Sequence, residues 1–204
     1  MRNWEAALET VRTRLDAVHG AREKALAGSR EIIQIASKAI RALHRNEVEK
    51  ARDLIAGGWE RARAIRSVIE ATPNVLHAGY LQDAEKELVE ATALDWLIHQ
   101  HPLPSPAELG VEAHTYVNGV AEAASEGRRY MLDLMRNGDL EGAKRVFEFM
   151  DLIYDDLITL DYPDAVTGGL RRTCDALRAV LERSRSDLSM TLMQSELLSE
   201  LKRR

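Results

Sequence analysis

Residues 79–100 read GYLQDAEKELVEATALDWLIHQ. On a wheel of about 100° per residue, Tyr80, Leu81, Ala84, Leu88, Ala91, Leu94 and Ile98 gather on one arc, which predicts an amphipathic helix. Glu87 falls inside that arc, and Asp83 and Glu90 fall on its edge. A carboxylate on an apolar face is costly unless it is paired, protonated or bound to a cation. Glu87 and Glu90, three residues apart, point the same way and can share one cation.

The helical period continues outward in both directions. Upstream, Trp4, Leu8, Val11, Leu15 and Val18 recur at alternating spacings, and Ile33, Ala36, Ile40 and Leu43 resume the pattern. This predicts one helix over about 3–45, or two that break near Gly28. A second helix is expected over about 47–71, ended by Thr72-Pro73-Asn74. The helix holding Glu87 is expected over about 75–100, up to the Pro-rich loop around Pro102, Pro104 and Pro106. Further helices follow over about 114–136, 139–160 and 170–201. Asn137-Gly138 stops the first of these and Asp139 caps the next. No strand alternation is found. The expected fold is all-α: a single domain over residues 1–204, built as a bundle of six to seven long antiparallel helices.

Composition agrees. Of 204 residues, 45% are hydrophobic and only 5% aromatic, too few aromatics for an all-β design and too much apolar content for disorder. The single cysteine, Cys174, excludes a disulfide framework and a cysteine-based zinc site. No apolar run approaches the length of a membrane span, and the first residues lack a signal-peptide core, so a cytoplasmic protein without membrane attachment is expected. The net charge of -5 is unevenly spread: +4 over residues 1–72, -12 over 73–165 and +3 over 166–204. The acidic middle and the basic start suggest two different tasks.

Other helices offer acids that match Glu87 and Glu90. Glu126 follows the small residues Gly119 and Ala123, which let a neighbouring helix approach closely. Asp151 and Asp155 form a like-charged i,i+4 pair that is unfavourable without a positive neighbour. Oxygen-only ligands of this kind suit Mg2+ or Mn2+. In a chain with 30% charged residues, a solvated helix face is the competing reading of every one of these acids. No histidine follows a glutamate at three residues, which argues against a di-iron carboxylate bundle. Serine and cysteine catalysis and a Gly-rich phosphate loop have no support. Glu148 and Asp151 superficially complete a nucleotide pyrophosphohydrolase pattern, but they lie far in sequence from Glu87 and Glu90. Arg30, Lys38, Arg41 and Arg45 share a helical face and can hold phosphates, although spacing alone equally allows a solvated face.

The segments SREIIQIASKAIRALHRNE (29–47), GYLQDAEKELVEA (79–91) and YVNGVAEAASEGRRY (116–130) resemble the translin and translin-associated factor X family. The turn at Asn137-Gly138-Asp139 and the stretch from Phe147 to Ile153-Tyr154-Asp155 extend the resemblance, which covers roughly residues 25–200. The resemblance implies an RNA-directed function. Translin itself binds single-stranded RNA and DNA, while the factor X branch is a Mg2+-dependent endoribonuclease, and the two form closed octameric shells with inward-facing active sites. By this resemblance Glu87, Glu90 and Asp155 are the catalytic acids of the factor X type, and Glu126 joins them near the metal. The chain looks like a compact prokaryotic version that serves as both subunits.

The resulting expectation is a metal-dependent endoribonuclease acting on single-stranded RNA with low sequence specificity, inside a homo-oligomeric shell, an octamer by resemblance. Mg2+ or Mn2+ is expected on Glu87, Glu90, Glu126 and Asp155. Arg30, Lys38, Arg41 and Arg45 are expected on the RNA, with single-stranded DNA a second ligand. The alternative is a non-catalytic single-stranded RNA- or DNA-binding protein of the translin type.

Overall fold

The first helix, α1 (Arg2–His44), runs without interruption for 43 residues in the computed structural model, which describes residues 2–203. At 1.5 Å per residue it spans about 65 Å. Gly28, a candidate break in the sequence, sits inside it. A Cβ there would collide with the Ile65 side chain of α2 (Val48–Ile69), so this glycine serves helix contact rather than helix termination. The turn between the two helices places Asn46 in the left-handed region at φ 59°, which asparagine tolerates well.

The helix expected over 75–100 is divided. A single turn, α3 (Pro73–Leu76), is followed by Gly79 at φ +89°, and α4 (Tyr80–His99) begins only after it. The first run closes at His77, and left-handed backbone at Gly79 precedes the next, a break that a periodicity reading cannot detect. A second single turn, α5 (Pro106–Leu109), carries a capping box in which Ser105 and Glu108 bond reciprocally. Then come α6 (Ala113–Arg136), α7 (Leu140–Leu157), the short α8 (Asp164–Thr167) and α9 (Leu170–Arg203). Asp139 accepts a bond from the Gly142 amide at 2.8 Å and caps α7 as its sequence position suggests. Among the described residues all regular structure is helical, which agrees with the all-α expectation.

One core unites the long helices. It is built from Ile32, Ala36, Ala39 and Leu43 of α1, Ile65 and Ile69 of α2, Leu81, Leu88 and Leu94 of α4, Ala121, Ala124 and Met131 of α6, Met150 of α7 and Leu177 of α9. The helix α4 is enclosed: it packs against α1 and α2 on one side and α6 on the other. Two of its acids are buried on the α2 side. Glu85 is 2% exposed and accepts two bonds from Arg66, at 2.6 and 2.8 Å, while burial pushes its carboxyl above the ordinary range. Asp95 accepts bonds from Arg52 and His99. The contact with α6 is close because Gly119 faces it: a Cβ there would lie 2.7 Å from the Lys86 carbonyl oxygen and from Val89 Cβ.

The predicted apolar stripe at the start of α1 is left largely open to solvent among the described residues. Trp4, Val11 and Leu15 are exposed, and Val18 is the member of the stripe that packs against the core. At the other end of the chain Met190, Met193, Leu197, Leu198 and Leu201 of α9 are also exposed. No helix of the described residues is long and apolar enough to cross a membrane.

Candidate metal centre

Glu87 and Glu90 lie on the face of α4 that meets α6, both half-buried. Glu122 of α6 joins them: one carboxylate oxygen from each of the three residues lies within 4.8 Å of the others. The approach follows from Gly119, which precedes Glu122 by three residues and so occupies the same face of α6. Three acids held this close in partial burial repel one another and lose hydration. Glu90 responds most strongly. Burial, followed by the charges of Glu87, Glu122 and Glu126, raises its carboxyl from 4.5 to about 8. Glu87 is raised as well, by burial first and then by Glu122 and Asp83, against the opposing pull of Lys86.

Lys86 is the cation in contact with this group, its Nζ 2.6 Å from Glu122 Oε1. Burial opposes its charge, but Glu122, Glu87 and Glu90 outweigh burial and hold its ammonium above the ordinary range. One lysine cannot neutralise three carboxylates. The donor set is all oxygen, comes from two rigid helices and is anionic beyond its local compensation, so it fits a hard divalent cation.

The expected acids fall into different surroundings. Glu87 and Glu90 are brought together. Glu126, one turn after Glu122 on α6, is outside the tight group of three and bonds to His44, with Oε1 2.6 Å from Nε2. Asp155, near the end of α7, is exposed and does not belong to that group. Its neighbour Asp151 is paired with Arg185 of α9 at 2.9 Å, which supplies the positive partner that the like-charged pair requires. Glu122 was not singled out by the sequence. Its signal is the shared face of Gly119, Glu122 and Glu126, spaced three and four residues apart.

Lys38, Arg41 and Arg45 line an open groove at the junction of α1 and α2, together with Lys50 and Glu47. Arg41 donates to Ser37 Oγ at 2.7 Å, and Lys50 is paired with Glu47. Arg30 is exposed on the same helix, eight residues before Lys38, and does not line this groove. Cys174 is a free, buried thiol whose ionisation burial disfavours.

No family model matches the chain. It is 31% identical over 184 residues to the uncharacterized protein MJ0175 of Methanocaldococcus jannaschii, covering 89% of this chain and 81% of that protein. It also superimposes on the crystal structure of AfC3PO with a TM-score of 0.86 and 31% identity, over 92% of this chain and 98% of that one. The chain belongs to the translin family of C3PO-type proteins. AfC3PO in complex with duplex RNA matches equally well, with a TM-score of 0.86 over 97% of that chain. Apo-NeC3PO, at 20% identity and a TM-score of 0.81, has the same fold over 90% of this chain. The all-helical architecture of the chain is thus the C3PO-type fold.

Proposed function

We propose that this protein is a metal-dependent endoribonuclease of the C3PO type, with Glu87, Glu90 and Glu122 holding Mg2+ or Mn2+. The observation that carries the proposal is the group of three half-buried carboxylates within 4.8 Å, drawn from two helices. A divalent cation bound there would supply Lewis acidity and an activated water for attack on a phosphodiester. Glu87 and Glu90 would hold the cation as carboxylates, and its charge would offset the burial and mutual repulsion that raise both carboxyls without it. Lys86 holds Glu122 in place beside them. Asp155 and Glu126 remain candidates for the catalytic group on the strength of the resemblance.

The basic groove of Lys38, Arg41 and Arg45, with Arg30 further along α1, is assigned to the RNA backbone. Phosphate contacts of this kind carry no base information, which matches low sequence specificity. The expected substrate is single-stranded RNA. The duplex RNA held by AfC3PO makes duplex RNA the necessary second substrate in the assay. The exposed apolar stripes of α1 and α9 support a homo-oligomer, and the octameric shell of the family is its expected form. A non-catalytic RNA- or DNA-binding role of the translin type is the competing reading.

The test incubates labelled single-stranded and duplex RNA with the protein in Mg2+, with and without EDTA, alongside Glu90→Ala, Glu122→Gln and Asp155→Ala. Cleavage by the wild type that is lost in EDTA and in Glu90→Ala is the expected outcome. Undiminished cleavage by Glu90→Ala overturns the proposal. Salt-sensitive binding without cleavage in Mg2+ transfers the assignment to the translin-type role. The Asp155→Ala result decides whether that residue belongs to the catalytic group.

A further inference from the structure

His44 ends α1 with its side chain turned into the protein, 1% exposed. Its Nε2 lies 2.6 Å from Glu126 Oε1, a hydrogen bond that the carboxylate oxygen accepts when the ring carries its N–H at Nε2. Nδ1 is buried without a partner. An apolar side chain of similar size would fill this place without leaving a buried nitrogen unpaired. The contact with Glu126 is therefore the feature of this ring that needs explaining.

Glu126 borders the carboxylate group without belonging to it. It stands one turn beyond Glu122 on the same face of α6, and its charge is felt at Glu90. Its side chain is one-third exposed, more open than the ring that holds it. A glutamate in that position would otherwise sample several rotamers. A bond from a fully enclosed ring on another helix restricts it to one. One carboxylate oxygen is engaged by His44, which leaves the other to accept from a second donor.

Resting on the metal-centre reading above, we propose that His44 is a positioning residue. It fixes Glu126 as the hydrogen-bond acceptor for a water bound beside Glu87, Glu90 and Glu122. His44 touches neither metal nor RNA and acts only through Glu126.

The test compares His44→Leu, His44→Gln, Glu126→Gln and the double variant His44→Leu/Glu126→Gln, each matched to the wild type in helical content and solution size. Leu fills the space without a donor, whereas Gln places an amide N–H near the position of Nε2. Two readouts are taken: binding of Mn2+ alone by calorimetry, and kcat and KM for RNA cleavage. His44→Leu is expected to lower kcat and Mn2+ affinity by about 10-fold or more, the range typical of groups that orient a metal site from outside it. KM for RNA should not change, and His44→Gln should recover most of both losses. The double variant should be no worse than the poorer single variant, because both changes remove one interaction.

Wild-type kcat and Mn2+ affinity in His44→Leu overturn the inference, as do losses that multiply in the double variant. Should the wild type bind Mn2+ but cleave no RNA, the nuclease reading fails and the Mn2+ measurements alone judge His44. Should the wild type bind no Mn2+, the metal-centre reading fails and the role of His44 fails with it.

Discussion

Replacing Glu90 by glutamine should stabilise the cation-free protein at alkaline pH and leave it almost unchanged at acid pH. The carboxyl of Glu90 is raised from 4.5 to about 8, chiefly by burial and by Glu87. Below pH 4.5 both the folded and the unfolded chain carry the proton, and the favourable contribution of the neutral group is fully present. Between pH 4.5 and about 8 the folded chain keeps a proton that the unfolded chain has released. Folding stability therefore falls by about 1.4 kcal/mol per pH unit across that window, or about 5 kcal/mol in all. Above pH 8 the loss is complete. Glutamine resembles the protonated acid and does not titrate, so Glu90→Gln escapes this loss. For a protein of this size 1 kcal/mol corresponds to about 2–4 °C in Tm. The variant should thus exceed the wild type by about 10–20 °C at pH 9 in EDTA, and match it within about 2 °C at pH 5. Thermal melts followed by circular dichroism at half-unit pH steps measure the difference directly. Parallel Tm curves for the two proteins from pH 5 to 9 would refute the account of Glu90 as a buried acid strained by its neighbours. In saturating Mn2+ the ordering should reverse at neutral pH, since the ionised carboxylate then has a cation to bind and glutamine does not.

The pair of Glu85 and Arg66 allows a second check. Arg66→Met leaves a carboxylate 2% exposed without its partner and should cost about 3 kcal/mol in urea unfolding at pH 7, with a smaller cost at pH 5, where Glu85 can take up a proton. Adding Glu85→Leu should recover most of the loss. Gly119→Ala places a methyl 2.7 Å from the Lys86 carbonyl oxygen, closer than backbone and side chain can accept. It should destabilise the protein by about 1–3 kcal/mol although alanine is the better helix former, and it should weaken Mn2+ binding by parting Glu122 from Glu87 and Glu90. Urea titration and Mn2+ calorimetry on this one variant measure the two effects.

The long helices were legible because each must bury a stripe, and a stripe on a helix appears in the sequence as a period near 3.6. The division at Gly79 was not, since left-handed backbone leaves no trace in apolar spacing. The stripe from Trp4 to Leu15 has the apolar spacing of a buried face, but Trp4, Val11 and Leu15 are exposed in the chain. The wheel also placed Glu87 on the buried side of α4, whereas Glu85 is the most deeply buried acid there. A wheel assumes one buried face, and α4 has two because α2 covers its back as α6 covers its front. Glu122 illustrates the deeper limit. Taken alone it is one acid on an amphipathic helix. It joins the group of three carboxylates only because Gly119 lets α6 approach α4, and that is a fact about packing. Asp155 was expected from the family resemblance and from its like-charged pairing with Asp151, and the structure leaves it exposed outside the group of three.

The candidate centre draws on the end of α1, the middle of α4 and the middle of α6, and its longest link joins residues 82 positions apart. No single loop, hairpin or contiguous segment contains all of it. Such an arrangement has no local stability of its own: it exists only while the helices form a single cooperative unit. Any ion affinity of the proposed centre would therefore also be a measure of global folding, and a substitution far from any carboxylate would weaken it as soon as the folded population begins to fall.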